Sequence, residues 1–339
     1  MGCGSSNPAP PKDADERFMK VPCGHDDLSE VRRPDIAVLK AGETTKYRNV
    51  IEWTPRDGAI KGLVFISHGM HEHALRYYNF AHTLTAKGYK VVAIDHASHG
   101  LSDGERAFID NYNELVEDFK NFVTIKVQEE PSGLPVFLFG HSMGSLITIL
   151  ALKGKERFGN LRAIILSGCP LVTGWGGGSP FGIKALFPLM NTNFGTSVAK
   201  ALRAVNPHGA GAPIIMDQLT DDEMEMTKIQ TCPRHITEDV LIQSGVEFKL
   251  LAADVEAQVK DLLNVPFYAI HGDKDTVAQP KGSQFIFDNC STADKDKVLE
   301  FIPDGLHELF FMKAKDEYIT KVVDYIENIY NSSANNNAI

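Results

Sequence analysis

The sequence predicts an α/β protein, a mostly parallel sheet with helices on both faces and an inserted helical cap. Three observations carry this reading. Short β-branched and apolar runs alternate with segments whose apolar residues recur at three- and four-residue spacing, as in buried parallel strands joined by crossover helices. With 339 residues, 43% hydrophobic and 23% charged, the chain can close one large core. The stretch between Ser167 and Pro266 is far longer than a crossover needs, so something is inserted there.

Taken in order, residues 1–20 hold Pro, Ser, Asp and Lys with little to bury, and are expected to form a flexible leader. The core begins at 21. Ile36 to Lys40 and Lys46 to Trp53 are expected to pair as an antiparallel edge. Buried strands follow at Gly62–Ser67, Tyr89–Asp95, Pro135–Gly140 and Leu161–Ser167, with helices near Arg76–Lys87, Asn113–Glu129 and Ser142–Lys153. The first part of the core ends near 169, and residues 170–237 form the cap. Its first half sets the glycines of Gly174 to Gly178 beside Trp175, Phe181, Leu186 and Phe187. A lid that meets lipid has this composition, and so does apolar sequence packed on a core. Residues 238–330 complete the core, with helices near Glu238–Leu263, Lys281–Asn289 and Lys313–Tyr330 and strands at Pro266–His271 and Val298–Ile302. The polar tail 331–339 is expected to be disordered.

Charge and cysteine usage narrow the partners. A net charge of −10 leaves no excess of Lys or Arg to neutralise a phosphate backbone, which argues against nucleic acid. Cys3, Cys23, Cys169, Cys232 and Cys290 are odd in number and scattered, without metal-binding spacing, and read as reduced thiols of a cytoplasmic protein. No run of about 18 apolar residues is present to cross a bilayer. The first residues, Met-Gly-Cys-Gly-Ser-Ser, match the myristoylation pattern at Gly2, with Cys3 beside it as a palmitoylation site. One myristoyl chain binds bilayers only marginally, at about 10⁴ M⁻¹, so a second acyl chain is needed for stable anchoring. Lys12, Arg17 and Lys20 cannot replace it, being offset by Asp13, Asp15 and Glu16. A peripheral position on the cytosolic face of a membrane is the expectation. Sequence does not set the oligomeric state.

The chemistry centres on Gly140-His141-Ser142-Met143-Gly144, a G-x-S-x-G directly after a strand and before an apolar helix. This is the nucleophile elbow of an α/β-hydrolase fold, with Ser142 as nucleophile. A serine hydroxyl needs a base oriented by a third group, and on this fold the chain order is Ser, acid, His. Beyond the insertion, His307 lies in the loop after the last strand, where the base belongs, while His271 closes a strand and reads as structural. The acid belongs to the loop His271-Gly-Asp-Lys-Asp275. Asp275 is favoured, Asp273 is its substitute, and Asp304 reads as a turn residue. The oxyanion donors are expected to be the backbone N–H groups of Met143 and Met70, the latter following the turn at Gly69. His71 and His73 lack a third ligand of suitable spacing for a metal.

Several blocks together resemble one family, the monoacylglycerol lipases and related lysophospholipase-like serine hydrolases. Phe65-Ile-Ser-His-Gly69 with Glu72-His73 and Arg76-Tyr77 is similar to the family's oxyanion loop and following helix. Asp95 to Arg106 is similar to its next loop, and Gly140 to Gly144 to its elbow. Gly272-Asp-Lys-Asp275 is similar to its G-x-x-D loop, which supports Asp275. The match spans roughly residues 47–330. It implies a mobile cap over an apolar acyl tunnel, hydrolysis of monoacylglycerols through an acyl-serine, and no cofactor. It departs from the family at Ser145, where a second glycine is common, at the bulky Met70, and in the cap. A lysophospholipase, thioesterase or carboxylesterase would use the same triad.

Overall fold

The computed structural model describes residues 31–32, 36–38, 46–56, 58–171, 201, 203–212 and 216–336. The leader with Gly2 and Cys3, and the glycine-rich first half of the cap, lie outside them.

An eight-stranded sheet organises the chain in the spatial order β1-β4-β6-β5-β7-β8-β11-β12. These are Val31–Arg32 (β1), Val50–Trp53 (β4), Gly62–Ser67 (β5), Tyr89–Ile94 (β6), Pro135–His141 (β7), Asn160–Ser167 (β8), Phe267–Gly272 (β11) and Lys297–Ile302 (β12). Pairing is parallel from β6 through β12 and antiparallel where β4 joins β6 and β1 joins β4. The expected antiparallel edge divides in two. Ile36–Val38 (β2) pairs with Lys46–Arg48 (β3) as a separate ribbon, and only β4 continues into the main sheet.

The strands alternate sides at every residue, which sorts the core into two layers. Leu63, Phe65, Leu138, Ile164 and Phe267 point to one face. There they meet helices α2 (Tyr112–Gln128), α3 (Met143–Ala151), α5 (Ile242–Leu262) and α6 (Lys281–Asn289). Val64, Ile66, Phe139, Ile165 and Ile270 point to the other, against α1 (Tyr78–Ala86) and α7 (Lys315–Asn336). Because both faces are covered, the central strands read as unbroken apolar runs. Phe139 packs beneath the nucleophile, its ring centroid 5.0 Å from both Phe80 and Phe310 and 5.7 Å from Tyr77.

Three further expectations are adjusted. The helix expected from Glu238 starts at Ile242, because Val240–Leu241 (β10) pairs first with Ala210–Ala212 (β9). The tail expected to be disordered from 331 is instead helical as far as Asn336, where α7 ends. A helix already nucleated on a packed face extends by one bond per residue. Cys232 is disulfide-bonded while Cys169 and Cys290 are free, which corrects the reading of five reduced thiols. Pairing depends on Cα proximity in the fold, which spacing along the chain does not report.

The second half of the insertion is fixed to the core. Helix α4 (Glu223–Thr231) is N-capped by Asp222, which also pairs with Lys315 at 2.8 Å. The Thr220 hydroxyl donates to the Phe311 carbonyl at 2.7 Å, and the Ile236 amide donates to the His71 carbonyl at 2.9 Å. Among the described residues no helix is long and apolar enough to cross a membrane.

Candidate active site

The loops after β5, β7, β11 and β12 leave the sheet at its carboxyl edge, where open α/β sheets bind ligands. Ser142 stands between β7 and α3 with φ 49° and ψ −122°, a left-handed conformation costly for a residue with a Cβ. The turn closes because its glycines meet backbone: a Cβ on Gly144 would sit 2.0 Å from the Ser67 carbonyl oxygen, and one on Gly140 2.5 Å from the Gly144 carbonyl oxygen. Ser145, the departure from the family pattern, is buried, and its hydroxyl donates to the Gly140 carbonyl at 2.7 Å. A serine there staples the turn instead of disturbing it.

The structure joins the three expected catalytic side chains. Ser142 Oγ lies 3.1 Å from His307 Nε2, and His307 Nδ1 lies 2.7 Å from Asp275 Oδ2. A carboxylate only accepts, so Nδ1 carries the proton and Nε2 is free to accept the serine's. Asp275 is favoured over Asp273 by burial as well: its side chain is 0% exposed against 39% for Asp273. Burial would raise the Asp275 pKa, but His307 and His271 outweigh it and hold the carboxyl below its usual range. Burial likewise opposes a charge on His307, and Asp275 overcomes it, so the imidazole is more basic than its ordinary 6.5.

The oxyanion loop passes directly beside the nucleophile, since a Cβ on Gly69 would sit 3.1 Å from the Ser142 Cβ. The His68 ring accepts from the His96 amide at Nε2 and so donates from Nδ1 to the Gly69 carbonyl, at 2.7 Å. In a trans peptide the N–H opposes the carbonyl, so this bond fixes which way the Met70 N–H points. Met143 is the first residue of α3, where backbone N–H groups have no acceptor inside the helix. Asp95 accepts from the Ala74 amide at 2.7 Å, anchoring the turn that follows the oxyanion loop.

Behind the triad lies a buried charged network that motif reading did not find. Arg76 grips Glu308, the neighbour of His307, with two bonds at 3.0 and 2.7 Å. Glu72 accepts from the Tyr77 hydroxyl at 2.7 Å and faces His141 Nε2 at 3.2 Å, beside the nucleophile. Arg76 approaches Glu72 at 3.6 Å and covers the Phe311 ring at 3.9 Å. The network thus ties the oxyanion loop, the elbow and the His307 loop together. In sequence, Glu72 and Arg76 show only as part of the block similar to the family's oxyanion loop and following helix, and Glu308 only as the neighbour of His307.

Among the described residues, Glu72, His141 and Glu308 are the one group close enough to share an ion, and the Arg76 guanidinium already supplies positive charge there. His71 and His73 do not join it. Burial holds His71 neutral, its pKa pulled down to about 3, and holds His68 and His99 down to about 4. His73, His96 and His235 are also lowered, first by burial.

Sheet order, strained elbow and the chain order Ser–acid–His together define a class, the serine hydrolases of the α/β-hydrolase fold. Comparison with known proteins narrows it. Residues 58–313 match the family model described as serine aminopeptidase, S33, and the chain belongs to that family. Human monoglyceride lipase is 31% identical over 257 residues, covering 76% of this chain and 79% of its own. A monoacylglycerol lipase of Mycolicibacterium smegmatis is 31% identical over 259 residues, covering 76% and 85%. The crystal structure of a soluble variant of Saccharomyces cerevisiae monoglyceride lipase superposes with a TM-score of 0.70 at 19% identity, over 88% of this chain and 96% of that one. That likeness carries the fold.

Proposed function

We propose that this chain hydrolyses monoacylglycerols to fatty acid and glycerol. The carrying observation is the continuous path from Ser142 Oγ through His307 to Asp275, at 3.1 and 2.7 Å; two monoacylglycerol lipases at 31% identity support the substrate.

In this reading the Ser142 oxygen attacks the ester carbonyl carbon as its proton passes to His307 Nε2. The negative oxygen of the tetrahedral intermediate accepts from the Met70 and Met143 amides. His307 returns the proton to the departing glycerol oxygen, leaving an acyl-Ser142 ester. Water, deprotonated by the same imidazole, then attacks that ester and releases the fatty acid. Asp275 keeps the ring in the reactive tautomer and stabilises its charge. Because His307 must start neutral and its pKa is raised, the acidic limb of the rate profile has its midpoint above 6.5.

The reading extends to the leader. Myristoylation of Gly2 with palmitoylation of Cys3 holds the enzyme at the cytosolic face of a membrane, where its substrate partitions. A Gly2→Ala variant moves to the soluble fraction, and unchanged partitioning would refute the anchor.

The activity is tested by fatty-acid release from monoacylglycerol, lysophosphatidylcholine and triacylglycerol, comparing wild type with Ser142→Ala. Ser142-dependent cleavage selective for monoacylglycerol is expected. Preference for the lysophospholipid, or no turnover of any ester, would overturn the assignment.

A further inference from the structure

The penultimate residue of β11 is His271, whose side chain is fully buried and takes no part in the proton transfers of ester hydrolysis. Its surroundings are more specific than packing requires. Nδ1 lies 2.7 Å from the Ser283 hydroxyl on α6, while Nε2 faces two acceptors, the Ala278 carbonyl at 2.7 Å and Asp275 Oδ2 at 3.0 Å. With acceptors on that side, Nε2 carries the proton and Nδ1 accepts from Ser283.

The consequence falls on the acid. Asp275 Oδ1 accepts from the Val277 and Ala278 amides, both at 2.8 Å, and Oδ2 accepts from His307 Nδ1 and His271 Nε2. An ionised carboxylate offers about four acceptor sites, so the acid is saturated and cannot rotate without breaking several bonds at once. We propose that His271 is a positioning residue for the acid, its N–H sharing with His307 the one oxygen that orients the base. By drawing charge from Oδ2, this donor also limits how far Asp275 raises the basicity of His307, and so keeps the base neutral closer to physiological pH. The other groups facing His307 are Glu308 and Glu72, both of which favour its charged form, and the His141 ring at 4.9 Å. None of these touches Oδ2, so His271 acts on His307 separately from them.

The inference rests on the triad assignment but not on the acyl substrate, and its test is independent of that choice. The readout is the rate at which a fluorophosphonate modifies Ser142, followed against pH: the Oγ–P bond forms, fluoride departs, and His307 takes the proton. In His271→Leu the acidic limb moves up by about one pH unit. Labelling at pH 7 therefore slows by up to about tenfold and returns to the wild-type rate above the shifted limb. His271→Gln, whose amide N–H can reach the same oxygen, keeps the wild-type profile. Should the Leu variant not fold, Ser283→Ala, which frees the ring from its anchor, gives a smaller shift in the same direction. A folded His271→Leu or Ser283→Ala with an unmoved limb, or a Gln variant as impaired as Leu, would overturn the proposal. Rapid labelling with no ester turnover would instead refute the substrate reading and leave this one standing.

Discussion

The elbow turn around Ser142 and the Asp275 carboxylate are closed by bonds to residues within five positions in the chain, whereas the His307 loop is held by a partner from a distant segment. The Ser145 hydroxyl reaches only five residues back to Gly140 to close the elbow. By contrast, the Arg76–Glu308 pair that fixes the His307 loop joins residues 232 positions apart. The nucleophile's geometry is therefore set chiefly by one strand, one turn and one helix, with the Ser142 amide tied across to the Ser167 carbonyl at 2.9 Å. The placement of the base is a property of the assembled core, and it is protected by burial of charge. The difference predicts that the first half fails by losing chemistry and the second by losing structure.

The largest effect sharpens the first half. Ser142→Ala lowers kcat on monoacylglycerol by about 10⁶-fold, with the thermal midpoint little changed, because alanine keeps the Cβ and the backbone contacts of the elbow and removes only the hydroxyl. Asp275→Asn follows at about 10⁴-fold in kcat, since the amide presents its NH₂ to His307 and favours the wrong tautomer. A loss of activity explained wholly by unfolding in either variant would erase the distinction.

Arg76→Met tests the second half. It leaves Glu308 and Glu72 buried without their cation, and should cost about 3–5 kcal/mol in urea unfolding. Adding Glu308→Leu should recover part of that loss, because an apolar pair of similar volume tolerates burial better than a single charge. A cost below about 1 kcal/mol would mean that the pair behaves like an exposed ion pair.

Acid stability gives a broader test of the same half. Burial keeps His68 and His99 neutral down to about 4 and His71 down to about 3, while the unfolded chain takes up these protons from about 6.5. The unfolded state thus binds more protons between those values, and stability should fall as pH drops through that window. His307 contributes oppositely: its raised pKa stabilises the fold at low pH, and that contribution is lost as pH rises through the folded value. Urea midpoints at pH 7.5, 6 and 5 should decrease in that order, and a flat profile would break the argument. The smallest effect returns to the elbow. Ser145→Ala should cost about 1–3 kcal/mol, by leaving the buried Gly140 carbonyl with one donor fewer.

This division also explains what the sequence made legible. The central strands read within a residue or two of their observed ends because burial on both faces writes itself as continuous apolar runs. Ser142, His307 and Asp275 were readable because the elbow is a local pattern and the fold fixes the chain order of its partners. The roles of Glu72, Arg76, His141 and Glu308 were not, since each is defined by a contact with a distant segment, and buried charge in a core looks in sequence like surface charge. His271 was read as structural, and only its approach to Asp275 Oδ2 gives it a further part. The division of β2 and β3 from the main sheet, and the bonded state of Cys232, likewise depend on which segments meet in space.

The most direct test of the central claim is covalent capture. Wild-type protein treated with a fluorophosphonate should gain the mass of one phosphonyl group, localised by peptide mass spectrometry to Ser142, and should lose monoacylglycerol hydrolysis in proportion. Modification of any other residue, or continued hydrolysis by fully labelled protein, would contradict Ser142 as the nucleophile.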